Sequence, residues 1–255
     1  MTEEQSRLYE LLETFSELCR QHGLRCYLAG GTLLGAVRHH GFIPWDDDID
    51  VMMPQEDYDR FRQLETSFPE GLAIQSEETD GNYPFLFMKL CNTKIPFETG
   101  SCHGPKGLYI DIFPLTPSCR PSPKARFIFN IITVINYVLQ VKCGWTRYIP
   151  YKKRIAKYGY AMLDELSKQQ LRSLRSKLIA RLTAKGEGYY LSVGGIHEGT
   201  TEFYPESWFE QAVPVSFEGT DFSAPSGWDG YLKQLYGDYW TLPAENERRT
   251  THKKR

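Results

Sequence analysis

The stretch LRCYLAGGTLLGAVRHHGFIPWDDDIDVMM, residues 24–53, restricts the folds open to this chain more than any other. Leu24 to Ala29 reads as a short buried strand that Gly30 and Gly31 interrupt. Thr32 then stands where an N-cap would start a helix near Leu33. A strand, two glycines and a helix N-terminus make a corner that can hold a phosphate. The glycines let backbone N–H groups approach an anion, and the helix dipole adds positive potential. The corner is not a P-loop, because Gly-Lys-Ser/Thr is missing. Alone, a Gly-Gly pair is only a tight turn, so its meaning depends on the residues downstream.

Those residues form an acidic run in an apolar frame. Phe42, Ile43 and Trp45 lead into Asp46, Asp47, Asp48 and Asp50, and Val51, Met52 and Met53 come directly after. A solvated acidic loop has no need of such flanks. Asp48-Ile49-Asp50 alternates as a strand does, so both carboxylates leave one face while Ile49 points to the core. Asp46 falls on the same face, as second support or as a ligand, and Asp47 faces away. Carboxylates this close raise one another's pKa unless a cation sits among them. Oxygen-only ligands suit Mg²⁺ or Mn²⁺. A calcium loop fits poorly, because Val51 stands where its turn needs Gly and Pro54 interrupts the next residues. Further on, LYIDIFPLTP at residues 108–117 buries Asp111 in an apolar strand. A lone carboxylate there must be paired. Backbone N–H groups or an Arg would satisfy it, and so would a place as third metal ligand on a neighbouring strand.

Gly30-Gly31, Asp48-x-Asp50 and a later-strand Asp111 together resemble the DNA polymerase beta-type nucleotidyltransferase superfamily. AGGTLLGAVRHHGFIPWDDDIDV with YIDIFPL and YGDYWTLP is similar, more narrowly, to the LicD family, which shares its core with fukutin and the fukutin-related protein. The resemblance is dense over residues 24–117 and returns near 228–243. It implies an α+β fold: a nucleotidyltransferase-type mixed sheet flanked by helices, with a mostly helical basic insertion. It also implies an enzyme that moves a phospho-alcohol group, phosphocholine from CDP-choline or ribitol phosphate from CDP-ribitol, to a glycan or its lipid-linked precursor. Cys91 and Asn92 follow Lys89 and Leu90 where the family usually has a basic residue and an Asp, and Thr116 replaces a usual Asp. These departures bear on the donor or acceptor pocket and leave the three presumed ligands intact.

The chemistry this implies is in-line attack on phosphorus. Asp48 and Asp50 would hold Mg²⁺ against the donor diphosphate, and Asp111 would complete a second metal position and accept the acceptor's proton. Gly30, Gly31 and Thr32 would cradle a phosphate. Arg38 and Lys89 would contact the diphosphate or pair with the surplus carboxylates. His39 reads as a surface or structural histidine. A choline site should offer aromatic faces, for which Tyr83, Phe85, Phe87, Trp145, Trp228 and Trp240 are available. A polyol-phosphate, glycerol-phosphate or NTP substrate is the alternative, and a metal- or glycan-binding pseudoenzyme is the reading from another class.

Charge is laid out unevenly along the chain. Residues 1–100 carry 8 Lys and Arg against 18 Asp and Glu, whereas residues 120–185 carry 15 against 2. This divides the 255 residues into a catalytic core at 1–118, a basic and mostly helical region at 119–186, and a part at 187–255 that packs back on the core. The basic block suits an anionic partner: a lipid-linked phosphate acceptor, an anionic membrane surface or the nucleotide donor. A solvated basic helix face is the plain alternative, and nucleic acid is not expected, since no recognised module accompanies the charge. Residues 125–143 are too short and too often interrupted by Asn130, Thr133, Asn136 and Gln140 to span a bilayer. They read as a core helix, or as an interfacial one flanked by Lys124, Arg126, Lys142 and Arg147. Arg154 to Thr183 reads as a long helix or a helix pair.

Met1 to Gln21 reads as an amphipathic helix, not as a signal peptide, with a capping box from Thr2 to Gln5 and Gly23 past its end. The six cysteines have no metal-ligand spacing and read as reduced thiols of a cytoplasmic protein, one placed at the inner membrane face if the basic block meets lipid. Tyr189–Val193 and Val213–Phe217 read as short strands, the latter followed by a turn-rich stretch. Residues 227–240 read as a terminal helix with a locking or acceptor-contact motif, and RRTTHKKR as a frayed tail.

Overall fold

A computed structural model describes residues 1–97, 105–145, 163–194 and 201–248. The fold is α+β, a curled mixed sheet with helices packed around it. Helix α1 (Glu3–Gln21) starts at the expected capping box, in which Thr2 and Gln5 satisfy each other's backbone amides, and it buries Leu8, Leu11, Leu12, Phe15, Leu18 and Cys19. Strand β1 (Tyr27–Leu28) is shorter than the apolar run that contains it, because helix α2 begins immediately at Gly30 and runs to His39. Strand β2 (Asp50–Pro54), helix α3 (Gln55–Gln63), β3 (Leu72–Gln75), β4 (Met88–Asn92) and the long β5 (Leu108–Ser118) complete the core.

The order in the sheet is β1-β2-β5-β4-β3. Only β2 and β5 run parallel, and all other pairs are antiparallel. Beyond its core half, β5 continues far enough to pair with β6 (Tyr189–Leu191), which pairs in turn with β7 (Phe203–Pro205). One strand therefore joins the acidic core to the part that follows the basic region.

The basic region contributes helix α4 (Pro123–Lys142), capped by Ser122, and helix α5 (Lys168–Thr183), capped by Ser167 and Gln170. Their facing residues Ile128, Ile132, Ile135, Leu139, Leu171, Leu178 and Leu182 form a second apolar cluster with Leu191 and Phe203. Arg154 to Tyr160, within the expected long helical stretch, lies outside the described residues, as do Arg147 and Cys102. The other five cysteines are free thiols. Among the described residues no helix is long and apolar enough to cross a membrane.

The strand expected at Val213–Phe217 is β8 (Ala212–Phe217), and the stretch after it, read from sequence as turn-rich, returns as β9 (Thr220–Pro225) to make a hairpin. Its turn residues Glu218 and Gly219 both have positive φ, 51° and 85°, the backbone that a two-residue hairpin turn requires. The polar and proline content of TDFSAP hid a strand that buries only Phe222, Ala224 and Pro225. Helix α6 (Trp228–Tyr236) ends at Gly237 and lays the C-terminal segment against α2. The tail 249–255 lies outside the described residues.

Candidate active site

The carboxylates gather where β2 meets β5. The parallel register sets Asp50 beside Asp111, and antiparallel β4 sets Lys89 beside Asp111 from the other side. Asp46 and Asp48 arrive on the loop that leads into β2; regular pairing starts only at Asp50, but Ile49 already accepts the Asp111 amide at 2.9 Å. Glycine makes the close approach to α2 feasible. A Cβ on Gly30 would lie 2.6 Å from Asp50 Oδ2, and one on Gly31 would lie 2.7 Å from Asp46 Oδ2. Gly30 also has φ of +50°, which a side chain would strain.

Thr32 does not cap a helix. The helix starts two residues earlier, behind Ala29, and the buried Thr32 hydroxyl accepts the Asp50 N–H at 2.9 Å. Nor is the Gly30 amide directed at open space, for it donates to the Tyr231 hydroxyl at 3.0 Å. Capping rules are local, whereas both of these bonds join segments far apart in sequence. Asp47, expected to face away from the other carboxylates, is buried.

Burial and mutual repulsion dominate the electrostatics. Desolvation, then the charges of Asp48, Asp111 and Asp46, push the Asp50 carboxyl well above its ordinary range, and Lys89 offsets only part of this. Asp46 is pushed up to about 8 by desolvation and then by the charge and hydrogen bond of Asp48. Lys89 Nζ donates to Asp111 Oδ1 at 2.5 Å, with both residues almost sealed from water. The ammonium also stands 3.6 Å from the Tyr109 ring centroid, 5.2 Å from Phe87 and 5.9 Å from Phe85.

Among the described residues, no three Asp, Glu, His or Cys side chains are already arranged about one cation position. The Lys89 ammonium is the positive charge that Asp111 engages. The donor chemistry still fits a hard divalent cation. The side chains of Asp46, Asp48, Asp50 and Asp111 offer only oxygens, glycine clears the approach of two of them, and the raised carboxyls of Asp46 and Asp50 record a repulsion that such a cation would relieve.

Arg38 is engaged away from this cluster. Its Nε donates to His39 Nε2 at 3.0 Å and its Nη1 to the Tyr239 carbonyl at 2.7 Å, so it braces the C-terminal segment against α2. His39 is half-buried, edge-on to Trp45. Several supporting residues escaped the sequence reading. Gln5 donates to the Asp46 carbonyl at 3.0 Å, and Glu218 accepts the Phe42 amide at 3.0 Å, so α1 and the β8–β9 turn fix the segment that leads into the acidic run. Desolvation of its hydroxyl, then the charges of Asp50, Asp46 and Asp48, raise the Tyr236 pKa, although 37% of the residue as a whole stays exposed.

Four of the six aromatic residues named from sequence converge. Phe85 lies 5.1 Å from Trp145 and 5.0 Å from Phe87, and Tyr83 lies 5.4 Å from Trp145. Trp228 and Trp240 belong to the C-terminal segment instead. The basic helix α5 fixes the aromatic loop. Arg172 donates to the Gly81 and Tyr83 carbonyls, the wholly buried Arg175 to the Pro84 carbonyl, Asn136 and Glu77, and Lys168 to Asn82.

Residues 23–128 match a family model described as LicD/FKTN/FKRP, nucleotidyltransferase domain. The chain is 29% identical to the lipopolysaccharide cholinephosphotransferase LicD of Haemophilus influenzae, over 99% of this chain and 96% of that protein. It is 41% identical to an uncharacterized protein of Rickettsia typhi, over 25% of this chain and 20% of that one. To the human ribitol 5-phosphate transferase FKRP it is 50% identical, over 16% of this chain and 8% of that protein.

Proposed function

We propose that this chain is a LicD-type phosphotransferase that moves phosphocholine from CDP-choline to a hydroxyl of a cell-surface glycan or its lipid-linked precursor, a reading supported by its match to the LicD/FKTN/FKRP nucleotidyltransferase domain and its likeness to a cholinephosphotransferase. The observation that carries the reading is the set Asp46, Asp48, Asp50 and Asp111, gathered beside two glycines that no larger residue could replace without displacing a carboxylate. Asp48, Asp50 and Asp111 would hold Mg²⁺ or Mn²⁺, which when bound neutralises charge on the donor diphosphate and acidifies the acceptor hydroxyl. Asp111 is the group for the proton of that hydroxyl, and Lys89 fixes its position. Thr32 and Tyr231 hold β2 and the α2 N-terminus in register, so the carboxylates meet the donor without rearranging.

For the head group, Phe85, Phe87 and Tyr109 already surround one ammonium, that of Lys89, next to the carboxylates. Ring faces of this kind also suit a quaternary ammonium, and with Tyr83 and Trp145 behind them they favour choline over a polyol. The test is thermal stabilisation by CDP-choline, CDP-ribitol, CDP-glycerol and CTP, with and without Mg²⁺, beside Asp48→Asn. Selective, Mg²⁺-dependent stabilisation by CDP-choline, lost in Asp48→Asn with the fold kept, supports the reading. If CDP-ribitol or CTP wins, the head group is reassigned. If Asp48→Asn retains full biological activity, catalysis itself is refuted.

A lipid-linked acceptor would bring the protein to an anionic membrane face of the cytoplasm. The start of α4 lies beside the end of α5, where the Cys119 amide donates to the Leu182 carbonyl at 2.7 Å. Arg120, Lys124, Arg126, Arg181 and Lys185 are exposed there around Phe127, which is 66% exposed, and Glu187 accepts the Arg120 amide. Co-sedimentation with phosphatidylglycerol vesicles, but not phosphatidylcholine ones, should weaken with salt and with Phe127→Ser. Equal recovery with both vesicle types would remove the membrane from the reading.

A further inference from the structure

Trp240 and Leu242 stand 57% and 44% exposed, and Tyr236 adds a partly exposed ring at 37%. They are three of the five large apolar side chains that are exposed among the described residues, and all three fall within one seven-residue stretch of chain. Leaving such groups in water is unfavourable, and a local concentration of them marks a surface that meets a ligand.

The stretch is not a loose end. Tyr239 is buried, donates its hydroxyl to Asp229 at 2.7 Å and lends its carbonyl to Arg38. Its ring lies 5.3 Å from that of Trp240 at an interplanar angle of 34°, so Trp240 rests on a fixed support. The stretch is also tied to the carboxylate site at both ends. Upstream, Tyr231 of the same helix as Tyr236 accepts the Gly30 amide. Downstream, Arg248 donates to the Pro243 carbonyl at 2.9 Å and places its guanidinium 5.4 Å from the ring of Trp45, which leads into the acidic run.

We propose that Tyr236, Trp240 and Leu242 form the subsite for the acceptor glycan, with the C–H face of a pyranose ring seated on Trp240. The proposal rests on the transferase reading and assigns it a specificity surface. An acceptor must bring a hydroxyl to the carboxylates, and the bonds of Tyr231, Arg38 and Arg248 tie this stretch to the N-terminus and the end of α2 and to Trp45, the elements that flank the acidic run. A sugar offers an apolar face rimmed by hydroxyls, which matches an aromatic platform edged with polar groups. Asp238 and Thr241, joined by a 2.6 Å hydrogen bond, supply that polar edge.

Saturation-transfer NMR on the full chain with Mg²⁺ tests this, using lactose and N,N′-diacetylchitobiose as probes and CDP-choline in a parallel sample. Transfer to sugar C–H protons is expected in the parent protein. It should fall at least fivefold in Trp240→Ala and largely survive in Trp240→Phe. Leu242→Ser is the second variant, should Trp240→Ala melt early, and should weaken the same signal. No transfer to either sugar, or transfer unchanged in both variants, overturns the proposal. So does loss of the CDP-choline signal in Trp240→Ala with the sugar signal intact, because the ring would then belong to the nucleotide. If the parent protein does not bind CDP-choline, it is the choline reading that fails, and the sugar signals still decide the acceptor subsite.

Discussion

Replacing Gly31 by alanine tests whether the α2 N-terminus is shaped around the carboxylates. At an ordinary helical position, Gly→Ala stabilises by about 0.5–1 kcal/mol. Here the new Cβ would sit 2.7 Å from Asp46 Oδ2 but 3.8 Å from its Cγ, so only the tip of the carboxylate is in the way. Asp46 can relieve the contact by turning about its side-chain torsions, at a cost of about 0.5–1.5 kcal/mol for leaving its rotamer well. The two effects nearly cancel in the parent protein. In an Asp46→Ala background the obstacle is gone, and Gly31→Ala should gain its full helical value. The coupling between the two sites is then about 0.5–1.5 kcal/mol, within the range for residues in contact. In a chain of this size that is about 2–4 °C in Tm per kcal/mol. Thermal melts of the four proteins in EDTA measure it. If the two changes add without coupling, the glycine does not accommodate Asp46.

Gly30→Ala should behave differently. Its Cβ would crowd not only Asp50 Oδ2 at 2.6 Å but also Cγ and Cβ at 3.4 and 3.5 Å, and its φ is +50°. The left-handed backbone alone costs about 1–2 kcal/mol. Removing the Asp50 side chain cannot remove that part, so the double variant should remain destabilised.

Lys89→Met should destabilise the metal-free protein by about 3–5 kcal/mol, because it removes the ammonium of a buried ion pair and keeps the carboxylate; a urea midpoint unchanged from the parent's would refute the pairing. Arg175→Lys should not rescue Arg175→Ala, since an ammonium cannot serve the Pro84 carbonyl, Asn136 and Glu77 from one plane, and near-UV circular dichroism of the aromatic loop reports it. Tyr231→Phe should cost about 1 kcal/mol by orphaning the Gly30 amide, read from chemical denaturation. Without metal, stability should fall as pH rises from about 4 to about 8; Asp46 contributes at most about 1.4 kcal/mol per pH unit, less because it is partly exposed, and the raised Asp50 adds in the same direction. Folding raises the pKa of Asp46, so the folded state holds the extra proton across that window. Mg²⁺ should flatten the slope, and a metal-free stability that rises over the window would contradict the buried carboxylate cluster.

The residues that reveal the site in sequence are those whose chemistry conflicts with their neighbours. Asp48, Asp50 and Asp111 stand out because apolar residues flank them, and the glycine pair because it ends an apolar run. What sequence does not show is how those residues are supported. Thr32 looks like a cap from its neighbours alone, and only the fold brings the Asp50 amide to it. Tyr231 and Glu218 lie roughly two hundred residues from the groups they bind, beyond any local pattern. Strand β9 is hidden because an exposed edge of a two-stranded ribbon needs few apolar side chains.

The uneven charge along the chain has a similar explanation. Fifteen cations against two acids at residues 120–185 suggest an external anion, yet several of them are engaged inside the molecule. Arg172 and Arg175 meet Glu77 of the acidic half, Lys168 reaches Asn82, and Lys142 pairs with Asp164. The guanidinium groups of Arg172 and Arg175 also reach three backbone carbonyls of the loop that carries Tyr83, Phe85 and Phe87. Such carbonyls, held in a bend without strand partners, need donors that can reach them from another element. Arg suits this because its fork satisfies two or three acceptors at once. Part of the basic block is therefore structural, and it supports the aromatic wall beside Lys89. Among the described residues, the exposed Arg120, Lys124, Arg126, Lys177, Arg181 and Lys185 are the cations of this block left for an outside partner.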